Sequence, residues 1–438
     1  MQAKEKFDEQ FAIDNLRLIF DERIAASGTI GKDGIDPAAF QRNIDAELAL
    51  IRKRVYAESY RFTPFKQRLI SKGAGKPPRE IAIAGVRDRV TLRAVTNVLM
   101  HVFDDAKLAP AHFIIKDLLE FVRPLGDDYV FLQLDVQDFY PSLDHQLLLK
   151  RIRTRTRYRF FTSLLDAAVK TPTGDVKKTN NIGVPQGLSV SNILSSIYMM
   201  QIDENARSRF HYYRYVDDIL VVCKASDAKR HFRWLKGRLS KAHLTCHPLV
   251  EGSKSKIVPL SSGVDYLGYH ITPKLVSVRR SSYRRMMTTI MSLMTSAKYR
   301  TNHKRLLAKI NLKITGCILN DKRYGWMFFF SMTQDVKQLK RIDRFVARLW
   351  KKLGMTGQGR PKTFVKAYYE IRFNLAKSKY IPRFDDYTLE KKMQLIADLQ
   401  GVELETIRDW TEAEVNKIFW RLVRREVSEL EKDLTPVS

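Results

Sequence analysis

The stretch RYVDDILVVC, Arg214–Cys223, sets two aspartates, Asp217 and Asp218, directly against the apolar run Ile219-Leu220-Val221-Val222. The apolar run reads as a buried strand, and HYYRY before it as a second one, so the segment has the form of a hairpin. A bare Asp-Asp pair in a hairpin is most often a turn, where aspartate is favoured. Here the pattern recurs. DYVFLQLDVQDFY (128–140) is another apolar strand that ends in an acid, Asp135. Like charges at the ends of neighbouring buried strands repel unless a cation lies between them. Three carboxylates there form a hard oxygen site suited to Mg²⁺, an ion that completes its shell with water and substrate phosphates. Two such ions can activate an attacking hydroxyl and stabilise a leaving oxygen.

The rest of the chain supplies the matching charge. Its 438 residues carry a formal net charge of +29, with 44% hydrophobic residues, the composition of a folded, strongly basic protein. The length predicts several domains. The charge excess points to a polyanion partner, most simply nucleic acid. Cys223, Cys246 and Cys317 have no C-x-x-C spacing, so neither a disulfide framework nor a zinc site is expected. The N-terminus lacks the apolar segment of a signal peptide, and no apolar run is long enough to span a membrane. A cytoplasmic protein with no membrane partner is the expectation.

Between Arg279 and Lys366 there are 22 Lys+Arg against three acids. Apolar residues recur there at helical spacing (Leu306, Ile310, Ile314, Ile318), which predicts basic amphipathic helices able to track phosphates. From Phe384 to the end the balance reverses, with 13 acids and 8 Lys+Arg, so a boundary is expected near 376–384. Further helices are expected over KFDEQFAIDNLRLIFDERIAA, over DPAAFQRNIDAELALIRKRVY with Asp36 as its cap, over RDRVTLRAVTNVLMHVF, over VSNILSSIYMMQIDENARSRF and over HFRWLKGRLSKA. RLISKGAGKPPREIAIAG reads as two strands around a loop, and VDYLGYHIT with KLVSVRR as a further hairpin. Thr411–Glu414 carries a capping-box signature. Strands alternating with helices, followed by an all-helical basic segment, imply an α+β core with a helical accessory domain.

Several blocks, in order over about residues 30–275, resemble those of a reverse transcriptase. They are DGIDPAAF, YRFTPFKQRLISKGAGKPPREIAIAGVRDRV, FLQLDVQDFYPSLDH, GVPQGLSVSNILSSIYM, YVDD, VEGSKSKIV and DYLGYHI. The resemblance implies a right-hand polymerase. Residues 1–128 would be N-terminal helices and fingers; 129–278 the palm, an antiparallel sheet plus helices, with a finger segment at about 145–182. Residues 279–378 would be a basic helical thumb, and 379–438 an acidic helical extension. Asp135 and Asp217 match the metal ligands, joined by the backbone of Val136, and Asp218 the supporting carboxylate. Two Mg²⁺ ions are implied, with Mn²⁺ as an alternative. Lys72 and Arg79 match finger residues that hold the dNTP triphosphate, with Lys76 close by; a lysine charge and an arginine fork both suit that anion. Gln186 and Gly187 match the block beneath the nascent base pair. Lys254 matches a lysine that assists the pyrophosphate leaving group, with Lys256 as the competing assignment. Tyr140 matches an aromatic that clashes with a ribose 2′-hydroxyl and so selects deoxynucleotides. Tyr266, Leu267 and Gly268 match the primer grip. Arg279, Arg280, Arg284, Arg285, Lys304 and Arg305 are the expected nucleic-acid contacts of the thumb.

Within the family, SKGAGKPPREIAI and RYGWMFFFSMTQDVKQLKRIDRFVARL resemble the bacterial abortive-infection and defence-associated group. The V-T-G triplet of retron enzymes is missing, and the chain lacks a zinc cluster for an HNH endonuclease and a second acidic set for RNase H. The resemblance implies a structured noncoding RNA as template, a cDNA product that limits phage growth, and a stand-alone enzyme or homo-oligomer. A maturase-like RNA-binding protein, a template-independent DNA polymerase and an RNA polymerase are the competing readings. Intact acids oppose the first, and Tyr140 the last.

Overall fold

The computed structural model describes residues 3–25, 27–71, 75, 77–175, 179–296, 303–355, 357 and 359–432. The chain forms two compact units, Met1–Pro110 with Gly126–Pro259, and Ala111–Leu125 with Leu260–Ser438.

The first unit begins with α1 (Ala3–Gln10), α2 (Ile13–Arg23), α3 (Pro37–Arg42) and α4 (Ile44–Tyr56). Two expected single helices are thus each broken in two. Asn43 leaves helical geometry at φ −120°, although Asp36 caps α3 as expected by accepting from the Ala39 amide. Strands β1 (Lys66–Ile70) and β2 (Arg79–Ile83) pair antiparallel, and α5 (Val86–Val102) follows. Helix α6 (Ala111–Val122) belongs to the second unit. The chain returns to the first unit through β3 (Tyr129–Asp135), α7 (His145–Arg153), α8 (Arg159–Lys170), α9 (Ser191–Arg207), β4 (His211–Tyr215), β5 (Asp218–Lys224), α10 (Ala225–Ser240) and β6 (Lys256–Pro259). Its central sheet has the order β4-β5-β3-β6, with every pairing antiparallel. Leu132, Leu134, Ile219 and Val221 face a core that also takes Leu194, Ile197 and Tyr198 from α9 and Leu235 and Leu239 from α10. One face of the sheet is thereby held rigid, which matters for the residues at its end.

In the second unit β7 (Val264–Tyr266), β8 (Tyr269–Ile271) and β9 (Val276–Val278) form an antiparallel meander. Then come α11 (Arg280–Ser296), α12 (His303–Thr315), the hairpin β10 (Cys317–Leu319) and β11 (Lys322–Tyr324), α13 (Trp326–Phe329), α14 (Val336–Lys352), α15 (Phe364–Phe373), α16 (Leu389–Gln400) and α17 (Glu412–Lys432). The acidic C-terminal segment shares a core with the basic one: Leu312 and Cys317 pack with Phe384, Ile396, Phe419 and Val423. Lys304 pairs with Glu403 at 2.8 Å and Lys309 with Glu426 at 3.8 Å. The charge reversal therefore marks two complementary surfaces within one unit. The Thr411–Glu414 capping box forms at the start of α17. Among the described residues, no helix is long and apolar enough to cross a membrane.

Candidate active site

Antiparallel register brings the acids together. β3 pairs with β5 from Tyr129↔Lys224 to Asp135↔Asp218, so two carboxylates face each other at the last rung of the ladder. β4 and β5 are joined through Tyr215↔Asp218, which leaves Val216 and Asp217 as a two-residue turn. Val216 adopts φ +58°, a region that β-branched residues strongly disfavour. The turn is held from below. Arg214 donates from Nη1 to the Val216 carbonyl at 2.8 Å, and from Nε and Nη2 to Asp203 of α9 at 2.8 and 2.6 Å. The Tyr212 hydroxyl also donates to Asp203, at 2.8 Å.

The charges at this end of the sheet are only partly balanced. Burial raises the Asp217 carboxyl above the usual aspartate range, and the charge of Asp135 adds to the rise; Arg79 and Lys254 oppose it. Asp135 Oδ1 accepts from Lys254 Nζ at 3.0 Å and lies 3.2 Å from His247 Nε2. Gln133 Nε2 donates to Asp218 Oδ1 at 3.1 Å. Val136 bridges Cys246 through its neighbours' hydrogen bonds (Gln137 N–H to Thr245 O, His247 N–H to Asp135 O), so Cys246 does not occupy the Val136 carbonyl. Among the described residues, no three His, Cys, Asp or Glu side chains already stand together as a metal cage. The donor set is nevertheless hard oxygen, and its mutual repulsion calls for positive charge. An incomplete carboxylate set fits an ion such as Mg²⁺, which draws much of its shell from water and substrate phosphates.

Other sequence candidates fall around this point in the first unit. Arg79 begins β2, and its charge reaches both Asp217 and Tyr140. Lys72 and Lys76 lie outside the described residues. Tyr140 is 8% exposed, and its hydroxyl donates to Asn192 Oδ1 at 2.6 Å. Burial pushes its phenol up to about 12, so it stays neutral. The Tyr140 carbonyl accepts from the Val184 amide at 2.9 Å, which ties the loop carrying Gln186 and Gly187 to Tyr140. That loop also docks on β2, where the Ala82 amide donates to the Gln186 carbonyl at 2.7 Å. Gly187 sits at φ +104°, and a Cβ there would meet Ile81 at 2.6 Å, so glycine is required. Lys254 is the lysine beside Asp135; Lys256 lies in β6 opposite Gln133.

In the second unit Tyr266 is buried, and Leu267 and Gly268 form the β7–β8 turn with φ +50° and +83°. The Arg279 amide donates to the Gly268 carbonyl at 2.9 Å. Arg280 and Arg284 are exposed on α11, and Arg279 and Arg285 are half-buried. Lys304 is turned to Glu403, and Arg305 borders a cavity against α17.

Sequence reasoning missed several neighbours. His247 follows α10 with no motif to mark it. Asp203 and Asn192 lie eleven residues apart on α9, about three turns, so one helix face serves both Arg214 and Tyr140. An acid at 203, between the apolar positions Ile202 and Ala206, is the one signal that was available. On α14 the exposed Lys337, Lys340, Arg344, Arg348 and Lys351 recur every three to four residues. They form a cationic stripe about 20 Å long opposite the buried Leu339, Ile342, Val346 and Trp350.

Residues 70–271 match the family model described as reverse transcriptase (RNA-dependent DNA polymerase). Protein YkfC of Escherichia coli (strain K12) is 23% identical over 347 residues, covering 66% of this chain and 87% of that protein. An uncharacterized 91 kDa protein in the cob intron of Schizosaccharomyces pombe is 24% identical over 196 residues, 42% of this chain. This chain spans 24% of that protein's length. Among solved structures, telomerase from Candida albicans in complex with a TWJ fragment of telomeric RNA has a TM-score of 0.42 at 13% identity. That likeness covers 91% of this chain and 68% of the telomerase chain.

Proposed function

We propose that this chain, a member of the reverse transcriptase family and so an RNA-directed DNA polymerase, performs nucleotidyl transfer at Asp135, Asp217 and Asp218. The observation that carries the assignment is the Asp135↔Asp218 register with Asp217 held in the adjoining turn. Asp135 and Asp217, with the Val136 carbonyl, would hold two divalent ions, and Asp218 supports them. Those ions supply activation of the primer 3′-hydroxyl and neutralisation of the phosphate charge. The chain's own part is to position and to balance charge. Arg79 reaches the triphosphate, and Lys254 moves from Asp135 toward the leaving pyrophosphate. Tyr140, braced by Asn192, excludes the 2′-hydroxyl. The basic faces of α11 and α14 hold template-primer phosphates.

The test is primer extension on an RNA template with Mg²⁺, comparing dNTPs with NTPs. DNA synthesis by the native chain and its loss in Asp217→Ala/Asp218→Ala are the expected results. Full synthesis by that variant would remove the assignment.

The template in this reading is a dedicated noncoding RNA, and the product a cDNA that restricts phage growth. The support is the resemblance of 71–90 and 323–349 to defence-associated enzymes. Sequencing the co-purifying nucleic acid tests the template. Phage plating on cells with native and Asp217→Ala/Asp218→Ala chains tests the role. The likeness to an intron-encoded protein favours a second reading, an RNA-binding maturase. It predicts splicing stimulation that survives loss of the aspartates.

A further inference from the structure

The second unit carries an aromatic surface that its own core does not use. Helix α15 buries Phe364, Ala367, Tyr368 and Ile371 along one face. On the opposite face Tyr369 and Phe373 stand one turn apart, 49% and 71% exposed. Phe373 is the most exposed large apolar side chain among the described residues. The two ring centroids are 6.0 Å apart, with the planes 30° from parallel. Neither ring is loose. The buried Tyr368 meets Tyr369 edge-on at 5.3 Å, and the Arg372 guanidinium lies 5.9 Å from the Phe373 ring. Arg372 is tethered in turn, since its Nη1 donates to the Ser331 carbonyl at 3.0 Å.

The helix does not need this pair to form. An aromatic pair at i,i+4 adds little to a helix, and α15 already has the Thr363 cap on the Lys366 amide and a fully buried face. The surroundings of the pair are cationic. Lys366, Arg372, Lys377 and Lys379 are all exposed. The one acid between them, Glu370, accepts from Asn374 Nδ2 at 2.8 Å. Lysine is depleted where aromatic anchors meet another protein. Exposed rings edged by cations suit a partner that offers flat π-faces and negative charge together, which is the chemistry of a nucleic-acid strand.

We propose that Tyr369 and Phe373 form a platform on which unpaired bases of a bound RNA stack, with the flanking cations taking the adjoining phosphates. Bases inside a duplex have both faces covered, so only an unpaired segment can present a face to these rings. The platform therefore differs in kind from the cationic stripe of α14, which meets phosphates of paired and unpaired strands alike. The choice of RNA rests on the polymerase reading, in which DNA is made already paired to its template and the strand with unpaired segments is the RNA.

The test measures binding of the full chain to a fluorescent single-stranded RNA and to a blunt RNA–DNA duplex, in EDTA without dNTPs, over a salt series. The variants are Tyr369→Ala/Phe373→Ala, Phe373→Leu and Phe373→Trp. Both side chains are exposed, so the core is untouched, and Phe373→Trp keeps a ring in place should alanine loosen the end of α15. The double variant is expected to weaken single-stranded RNA binding by about tenfold or more. Its salt slope stays the same, because no cation is removed. Duplex binding is unchanged, Phe373→Trp binds at least as tightly as the native chain, and Phe373→Leu loses affinity because it keeps apolar bulk without a π-face. Unchanged RNA binding in the double variant, equal loss on the duplex, or native affinity in Phe373→Leu overturns the proposal. Single-stranded DNA of the same sequence is a further arm: weakening of DNA binding alone makes this a product-strand site and overturns the RNA assignment. Light scattering is the last: a change of molar mass in the double variant with RNA binding intact identifies a face between copies of this chain and also overturns it. Because binding is read without catalysis, failure of the polymerase reading appears in primer extension and not here.

Discussion

Arg214 grips Asp203 through Nε at 2.8 Å and Nη2 at 2.6 Å, in an interior where the two residues are only 5% and 4% exposed. Its remaining nitrogen holds the Val216 carbonyl, so a buried ion pair anchors the turn that presents Asp217. Removing one partner leaves a buried charge, which costs about 3–5 kcal/mol. Arg214→Ala is therefore expected to be strongly destabilised in chemical denaturation. The pair Asp203→Leu/Arg214→Met should recover part of that stability, because apolar replacement of both charges is often neutral but here also removes the acceptor of the buried Tyr212 hydroxyl. It should not recover primer extension, which also needs the bond to Val216. Recovery of both would show that the turn does not depend on this anchor.

Val216 makes a second prediction about the same turn. A β-branched residue at φ +58° stores on the order of 1–3 kcal/mol of backbone strain. Glycine removes the strain but adds about 1 kcal/mol of unfolded-state entropy. Val216→Gly should melt at or slightly above the native temperature while its single-turnover rate falls, since Asp217 is less firmly aimed. A melting point several degrees lower would mean that the valine side chain contributes more by packing than its backbone costs.

The strands that carry the acids were legible because their signals are local. Alternation and apolar runs mark β3 and β5, and the acids stand at their ends. Loop chemistry marks β1 and β2, and Asp36 marks its cap. What was hidden depends on distant placement. Arg214 and Asp203 meet only once α9 lies against the sheet. Asn43 interrupts a helical pattern that periodicity alone carries through. The reversal of charge after 384 was plain, yet composition could not say that opposite signs would face each other in one unit, as Lys304 and Glu403 do.

Asp88 predicts a pH dependence of stability. It is 2% exposed, and burial pushes its carboxyl up to about 6 despite bonds from the Tyr60 hydroxyl and the Thr63 amide. The folded state thus holds this proton more tightly than the unfolded chain, where the value is near 3.8. Stability from this group is full below about pH 4 and is lost as pH rises through about 6. Relative to Asp88→Asn, the native chain should lose up to about 3 kcal/mol between pH 4 and pH 7. Denaturation midpoints of both chains across that range measure it; parallel curves would show that Asp88 is ionised throughout.

Tyr140 separates a steric role from a hydrogen-bonding one. If ring bulk excludes the ribose hydroxyl, Tyr140→Phe keeps deoxynucleotide preference although it loses the 2.6 Å bond to Asn192. Tyr140→Ala should reduce that preference by on the order of 10–100-fold, mainly through better use of NTPs. Competing incorporation of dCTP and CTP on one template reads the ratio. A phenylalanine variant as permissive as alanine would move discrimination to the hydroxyl.

Lys254 bears on the metal requirement. Its ammonium lies 3.0 Å from Asp135 Oδ1, where it balances the carboxylate and competes with any cation for that oxygen. Two effects of Lys254→Met follow, with opposite signs. Without the ammonium, Asp135 is more available, so half-maximal activity should need several-fold less Mg²⁺. At saturating Mg²⁺ the rate should still fall by about tenfold or more if Lys254 is one of the cations that meet the leaving pyrophosphate, beside Arg79 and the divalent ions. Titrating Mg²⁺ under single-turnover conditions separates the two, and EDTA should abolish synthesis by either chain. A variant that needs more Mg²⁺ than the native enzyme would show that Lys254 assists ion binding instead of opposing it. A variant with a lower requirement and an undiminished rate would confine Lys254 to charge balance at Asp135 and leave the pyrophosphate to another group.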